Sequence, residues 1–265
     1  MKTENPHARD YVRDLAAAGR YSFNSSEARQ VLGTSVAAVK LALLRLIRKG
    51  ELASPARGFY TVVPPEYRGL GCLPADQFVP VLMQHAGQPY YVGLLSAAQY
   101  HGAAHHRPQE FQVMLARARR PLRCGQVRVA FFVRKQLRDV PLQNFNTPRG
   151  TIQVSTPEAT AFDLVGYQSR VGGLDQVATV LSELAERIDP QELVVAARSA
   201  PVPWAQRLGY LLEQVGAGDK AAALKAHVAN VARQAVALLP GAPISAACGE
   251  PAWKLAVNTD VEVEM

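Results

Sequence analysis

The chain has 265 residues, 48% of them hydrophobic, enough to bury a sizeable core and to divide into two domains. Its net charge of +7 is a mild bias toward polyanionic partners. Three scattered cysteines (Cys72, Cys124 and Cys248) and the lack of any long apolar run argue against a disulfide framework, a zinc motif, a signal peptide or a membrane span, and for a cytoplasmic protein.

The positive charge is concentrated at the start, where residues 1–68 carry 11 Lys and Arg against 6 acids and so hold +5 of the +7. Periodicity predicts a first helix over 7–18, with Tyr11, Leu15 and Ala18 on one face and Gly19 as its stop. Asn24 is placed to cap a second helix, and Glu27, three residues on, to reach back to it as in a capping box. Val31 and Leu32 are expected to face inward, and Gly33 to take the left-handed turn that a side chain resists. Ser35 caps a third helix, in which Val39, Leu43, Leu46 and Ile47 form the seating stripe. Residues 52–54 and 58–62 read as a hairpin with Arg57 at its tip.

A helix, a glycine turn, a basic helix and a hairpin follow one another in a winged helix-turn-helix, which sets one helix in the major groove of double-stranded DNA. In that role Lys40 would meet a guanine edge or a phosphate, Ser35 a phosphate, and Val36 or Ala38 a thymine methyl. Arg45, Arg48 and Lys49 suit backbone phosphates, and Arg57 the minor groove. The bland alternative is a helical subdomain with a solvated basic face. The groove-facing turn has no Arg, Asn or Gln, so base readout per module is expected to be modest and specificity to need repeated sites or DNA shape.

Pro64-Pro65 ends the hairpin and suggests a boundary between a DNA-binding domain at 1–65 and a second domain at 66–265. Beyond it come a helix at 74–86, a helix within 90–100, and strands at 111–115, 127–133 and 151–155. Thr156 and Pro157 read as the N-cap and first position of a helix that runs to Val165. Further helices are expected at 174–186, 190–198, 203–215 and 219–238, with a late strand at 253–263. The fold class is therefore α+β, a winged helix-turn-helix followed by a larger mixed α/β domain. Arg117, Arg119, Arg120, Arg123, Arg128, Arg134, Lys135 and Arg138 form a basic run with no acid in it. The first five are candidates for a secondary contact with DNA or an acidic partner, the alternative being solubilising charge on an edge hairpin.

No catalytic residue, metal ligand set or cofactor site is read. His101, His105 and His106 have no acidic or Cys ligand beside them. Ser96 lacks the glycines of a nucleophile elbow, and Glu158 and Asp163, five apart, do not share a helix face. There is no phosphate-cradling glycine loop and no paired acidic motif of a nuclease or nucleotidyltransferase.

Three stretches carry a family resemblance: the winged-helix segment ending in Arg57-Gly58-Phe59-Tyr60 and the prolines; Tyr91-Val-Gly-Leu-Leu-Ser-Ala-Ala-Gln-Tyr-His-Gly102; and Val154-Ser-Thr-Pro-Glu-Ala-Thr-Ala-Phe-Asp-Leu-Val165. Together with the helical tail they resemble the AbiEi-type antitoxins of abortive-infection and type IV toxin–antitoxin systems over nearly the full chain. The resemblance implies a protein with two roles. Its winged helix would bind inverted repeats in its own promoter and repress the operon. Its C-terminal antitoxin domain would counter a nucleotidyltransferase-like toxin, without need of a stable complex. The chain departs from the pattern in the low polarity of Val36-Ala-Ala-Val39 and in a proline-rich segment at 240–251. Two other classes fit the N-terminal half: a transcription factor with a ligand-sensing second domain, or a DNA-processing enzyme with a winged-helix targeting module. A neighbouring toxin gene argues against the first, and a metal-dependent cleavage assay decides the second.

Overall fold

The computed structural model describes residues 7–103, 108–245 and 247–263. Its elements begin with α1 (Ala8–Ala17), β1 (Ser22–Asn24), α2 (Ser25–Leu32), α3 (Val36–Arg48), β2 (Leu52–Ala56) and β3 (Phe59–Val62). The chain continues through α4 (Ala75–His85), β4 (Tyr90–Val92), α5 (Leu94–Tyr100), β5 (Phe111–Leu115), β6 (Leu122–Cys124), β7 (Val127–Val133), β8 (Leu142–Thr147) and β9 (Gly150–Ser155). Helices α6 (Pro157–Gly166), α7 (Leu174–Leu184), α8 (Pro190–Ala197), α9 (Val202–Gln214) and α10 (Gly218–Val231) follow, with short strands β10 (Val236–Ala237), β11 (Cys248–Glu250) and β12 (Leu255–Val257) at the end. The class is α+β. Contacts divide the chain into one unit of residues 1–90, 109–133 and 145–152 and another of 91–108, 134–144 and 153–265.

In the first unit the expected caps are formed. The Asn24 side chain accepts the Glu27 N–H at 2.9 Å, the Ser35 hydroxyl accepts the Ala38 N–H at 3.2 Å, and Gly33 turns at φ 58°. The reciprocal half of the capping box is not made: the Glu27 carboxylate is engaged by Arg20, a charge-assisted contact stronger than one to a neutral backbone N–H. Val31 is 44% exposed rather than inward, since α2 turns Ala28 and Leu32, four residues apart, to the core. Strand β1 is too short to display a period of two, yet it pairs antiparallel with β3 and gives a sheet of order β1-β3-β2.

Alternation along β3 joins two cores. Val62 and Tyr60 face the helices, among Tyr11, Leu15, Phe23, Leu43 and Leu46. Phe59 and Val63 face the other way, into a core with Leu73, Phe78, Leu82, Val113 and Val129. The hairpin is thus covered on both sides, and Pro64-Pro65 lies inside this unit. Within it β7 pairs parallel with β5 and antiparallel with β6. Cys72 and Cys124, isolated in sequence, meet in this second core.

In the second unit α6 starts where expected, with the Thr156 hydroxyl accepting the Ala159 N–H at 3.3 Å. It is buried from Glu158 to Val165 and packs against α5, α7, α8 and α9, as a helix with no polar face must. Alongside, β4 pairs parallel with β9 at Val92 and Val154. Helix α10 stops at Val231, short of the predicted 238, because the backbone N–H groups of Val236 and Leu238 bond to Lys254 and Ala256 of the tail. The late strand shrinks to Leu255–Val257, between β10 and β11.

Trp253 fixes that tail despite the prolines before it. Its ring is fully buried and its indole N–H donates to the Glu213 carboxylate at 2.8 Å. The Gln206 amide donates to the carbonyls of Trp253 and Lys254. A Cβ added at Gly209 would lie 2.0 Å from the indole, a rigid group with nowhere to move. Gly209→Ala is therefore expected to unseat the tail and destabilise the protein by about 1–3 kcal/mol, read as a lowered Tm and increased proteolysis beyond residue 235.

Candidate functional site

The charge-bearing face of the first unit follows from which acids are already engaged. Arg9 pairs with Glu51, Arg13 with Asp10 and Asp14, and Arg20 with Glu27. Glu66 is met by Arg149, whose guanidinium also lies 3.4 Å from the Tyr21 ring centre. Every acid between residues 7 and 68 is thereby engaged, none of them with α3 or the hairpin tip. Arg29, Lys40, Arg45, Arg48, Lys49 and Arg57 are exposed and, among the described residues, have no paired carboxylate. The net charge read from composition is in this way sorted onto one set of elements.

Geometry gathers part of that set. Helices α2 and α3 meet at 109° across the Gly33 turn, in the range of a helix-turn-helix. Gly58, at φ 74°, gives its carbonyl to the Ser25 N–H at 2.9 Å, which ties the hairpin turn to the start of α2. A cleft of about 400 Å³ results, lined by Ser25, Arg29, Val36, Lys40, Arg57 and Tyr60. Of the predicted residues it brings together Val36, Lys40 and Arg57. Ser35 and Ala38 sit beside it in the first turn of α3, Ser35 with its hydroxyl committed to the cap. Arg45, Arg48 and Lys49 lie at the far end of α3, outside the cleft. Arg29 and Tyr60 escaped sequence reasoning. The signal for Tyr60 was present, since alternation in Phe59-Tyr60-Thr61 sends it to the side opposite Phe59.

The basic run of residues 117–138 is divided. Arg117, Arg120 and Arg123 are exposed, and Arg123 is the direct cross-strand partner of Arg128 on the β6–β7 pair. Arg119 is half-buried, with its guanidinium 5.2 Å from the Phe131 ring centre, and burial lowers its pKa. Arg134 does not belong to any surface. It is 4% exposed, and its charge is met inside the second unit.

There, the two family-like stretches of sequence become the two halves of one buried polar scaffold. Tyr91, at the start of the first stretch, donates its hydroxyl to Asp163 of the other at 2.7 Å. Arg134 Nε lies 3.2 Å from the second Asp163 oxygen. Its Nη2 donates to the Ser199 carbonyl at 2.9 Å, and its Cζ sits 4.6 Å from the Trp204 ring centre. Burial pushes the Asp163 carboxyl up to about 6, with Arg134 and the Tyr91 hydroxyl opposing, and burial also raises Tyr91. A second cluster adjoins the first in sequence. The Gln143 amide donates to His101 Nδ1 at 3.2 Å, so the ring proton is on Nε2 and goes to the Ser155 carbonyl at 2.8 Å. Burial lowers the His101 pKa and keeps this neutral tautomer. The Ser155 and Thr160 hydroxyls are 2.7 Å apart, and Glu158 accepts the Asp189 N–H at 3.0 Å.

Of the histidines considered together, His105 and His106 lie outside the described residues, and His101 is committed to its backbone carbonyl. Among the described residues no group of three or more His, Cys, Asp or Glu side chains could hold a metal. No single helix among them is long and apolar enough to cross a membrane. The polar residues of the family-like stretches hold the fold together.

Residues 91–214 match the family model of the AbiEi antitoxin C-terminal domain, and this span contains Tyr91, His101, Arg134, Asp163, Ser199 and Trp204. Over this span, a little under half of the chain, it carries a region similar to the C-terminal domain of AbiEi antitoxins. In fold it is similar to the RV2827C protein from Mycobacterium tuberculosis, at a TM-score of 0.64 and 18% identity, over 94% of this chain and 90% of that one. No curated protein matches the chain.

Asp163→Ala leaves the Arg134 guanidinium buried and unpaired, at an expected cost of about 3–5 kcal/mol in chemical unfolding, against about 1 kcal/mol for Tyr91→Phe. The raised Asp163 pKa also has a signed pH signature. Between the ordinary value of 3.8 and about 6 the folded state holds a proton that the unfolded state has lost. Stability contributed at this site therefore falls as pH rises through that window. Asp163→Asn should flatten that part of the stability profile.

Proposed function

We propose that the chain is a self-regulating antitoxin that binds double-stranded DNA at inverted repeats in its own promoter and antagonises a nucleotidyltransferase-like toxin without needing a stable complex. The antagonism is assigned to the C-terminal part, residues 66–265, and operator reading to residues 1–65. It acts in the cytoplasm and performs no catalysis of its own. One observation carries the DNA half. The acids between residues 7 and 68 are engaged by α1, Arg20 and Arg149, which leaves the cations of α3, α2 and the hairpin tip for phosphates. The cleft where Arg29, Lys40 and Arg57 converge beside the first turn of α2 suits a backbone phosphate. Val36, 61% exposed, and Ala38 offer apolar contact to thymine methyls. The toxin half is supported by the family of residues 91–214.

Replacing Lys40, Arg48 and Arg57 with Ala in the full chain should weaken promoter binding and lower the log–log salt slope by about 1 for each phosphate that is no longer neutralised. The same variant should still relieve growth arrest when co-expressed with the toxin of its operon. An unchanged affinity and slope would remove the DNA assignment, and loss of protection by a folded variant would remove the division of labour.

The Arg117 to Arg128 cluster is proposed as a second contact that makes binding to paired repeats cooperative. Arg123 and Arg128 directly opposite one another repel, an arrangement that a polyanion relieves. Arg120, Arg123 and Arg128 all changed to Glu should abolish cooperativity on a two-repeat operator while leaving single-repeat affinity within about twofold of wild type. Wild-type cooperativity would make the cluster an ordinary solvated edge.

A further inference from the structure

Beneath the hairpin of the first unit, two thiols far apart in sequence are held face to face. The Gln126 N–H donates to the Leu70 carbonyl at 2.8 Å, and the Gln126 amide to the Gly69 carbonyl at 3.0 Å. Between these strands of chain Gly71 and Gly125 approach so closely that a Cβ on Gly125 would lie 2.1 Å from the Leu70 oxygen. Antiparallel registry from those contacts sets Cys72 opposite Cys124, and both sit in one core cluster with Phe59 of the hairpin. Each thiol also touches a hairpin strand. Cys72 Sγ lies 3.8 Å from the Thr61 hydroxyl of β3, and Cys124 accepts the backbone N–H of Ser54 in β2. Ser54 falls at the irregularity where the β2–β3 register shifts, which leaves its N–H free for sulfur.

We propose that Cys72 and Cys124 are a peroxide-oxidisable dithiol whose disulfide displaces the β2–β3 hairpin and weakens the DNA-binding face. The two sulfurs are not equivalent. The hydrogen bonds from Cys72 and from Ser54 hold Cys124 toward the thiolate, while donating to Cys124 and burial push Cys72 up. Cys124 is also the more accessible, at 9% exposed against 0% for Cys72. Cys124 thiolate attacks a hydroperoxide, forming an S–O bond as the O–O bond breaks, and the departing alkoxide, or hydroxide from hydrogen peroxide, takes up the proton that the Cys124 thiol released on ionising and leaves as an alcohol or water. Cys72 then attacks the sulfenic sulfur, forming the S–S bond, and the hydroxide that departs takes the Cys72 proton as water. Two thiols are oxidised and one peroxide is reduced. A disulfide needs the sulfurs at about 2.05 Å, so both must move toward each other and away from Thr61 and Ser54. The oxidation stands on its own, whereas its effect on DNA rests on the operator-binding reading above.

The test uses the full chain with the exposed Cys248 changed to Ser, treated with hydrogen peroxide and then mapped by non-reducing peptide mass spectrometry. A linked peptide containing Cys72 and Cys124, lighter by two hydrogens, is expected, together with roughly tenfold weaker binding to a promoter fragment that dithiothreitol restores. Cys124→Ser should remove both effects, with Cys124→Ala as a second variant should the serine fold poorly. Free thiols after treatment, or Cys124 carried to sulfinic acid without Cys72, would overturn the dithiol. A linked protein that binds DNA as tightly as the reduced one would overturn the displacement of the hairpin. Failure of the reduced protein to bind DNA would instead strike the operator reading, with the peptide map still deciding the dithiol.

Discussion

Asp163 has no exposed surface, and a carboxylate removed from water costs on the order of several kcal/mol unless the protein answers it. Arg134 and Tyr91 provide the answer, and in doing so they dictate where β4, the segment after β7, α6 and the start of α9 must lie. Arg134 passes the constraint on, through the Ser199 carbonyl to the turn before α9 and through its cation to Trp204. Trp204 in turn admits only glycine at 166, where a Cβ would come within 2.3 Å of the indole. Most of the second unit is thus referred to one ion pair. Removing either partner is far costlier than the pair's net contribution, because the survivor is left charged in a dry interior.

The first unit is governed by a different electrostatic balance. The acids between residues 7 and 68 are few and are drawn to α1, to Arg20 and to Arg149, so compensation there is uneven. Exposed pairs of this kind add little stability. Their consequence here is spatial: they neutralise Arg9, Arg13, Arg20 and Arg149 and leave the cations of α3 and the hairpin tip without a paired carboxylate. The apolar residues Val36, Leu41 and Leu44 lie exposed on that same helix, which suits the contact with thymine methyls proposed above.

Local signals were legible where a few neighbouring residues settle the matter. Asn24, Ser35 and Thr156 each announce a cap, and each cap is made. Gly33 announces a left-handed turn and takes one. Sequence and structure part company where the competing partner comes from elsewhere in the chain. Glu27 left its capping role for Arg20, the end of α10 gave way to pairing with the tail, and Arg134 left a surface-looking run for Asp163. Trp253 secured a tail that follows a proline-rich segment, by way of Glu213 and a glycine that only the fold places beneath it.

The sequence by itself determined the order of the helices, the α+β class, the basic start of the chain and the stretches that carry the family resemblance, because periodicity, caps and local charge depend on residues within a turn or two of one another. Tertiary structure alone decided what those stretches are for. Tyr91, His101, Ser155 and Asp163 offer no chemistry when read in line, and become two buried polar clusters only when β4, α5, β9 and α6 are brought together. It likewise decided which cations remain free and that Cys72 faces Cys124, since pairing across long separations rests on the packing of Gly71 against Gly125, which no local pattern encodes.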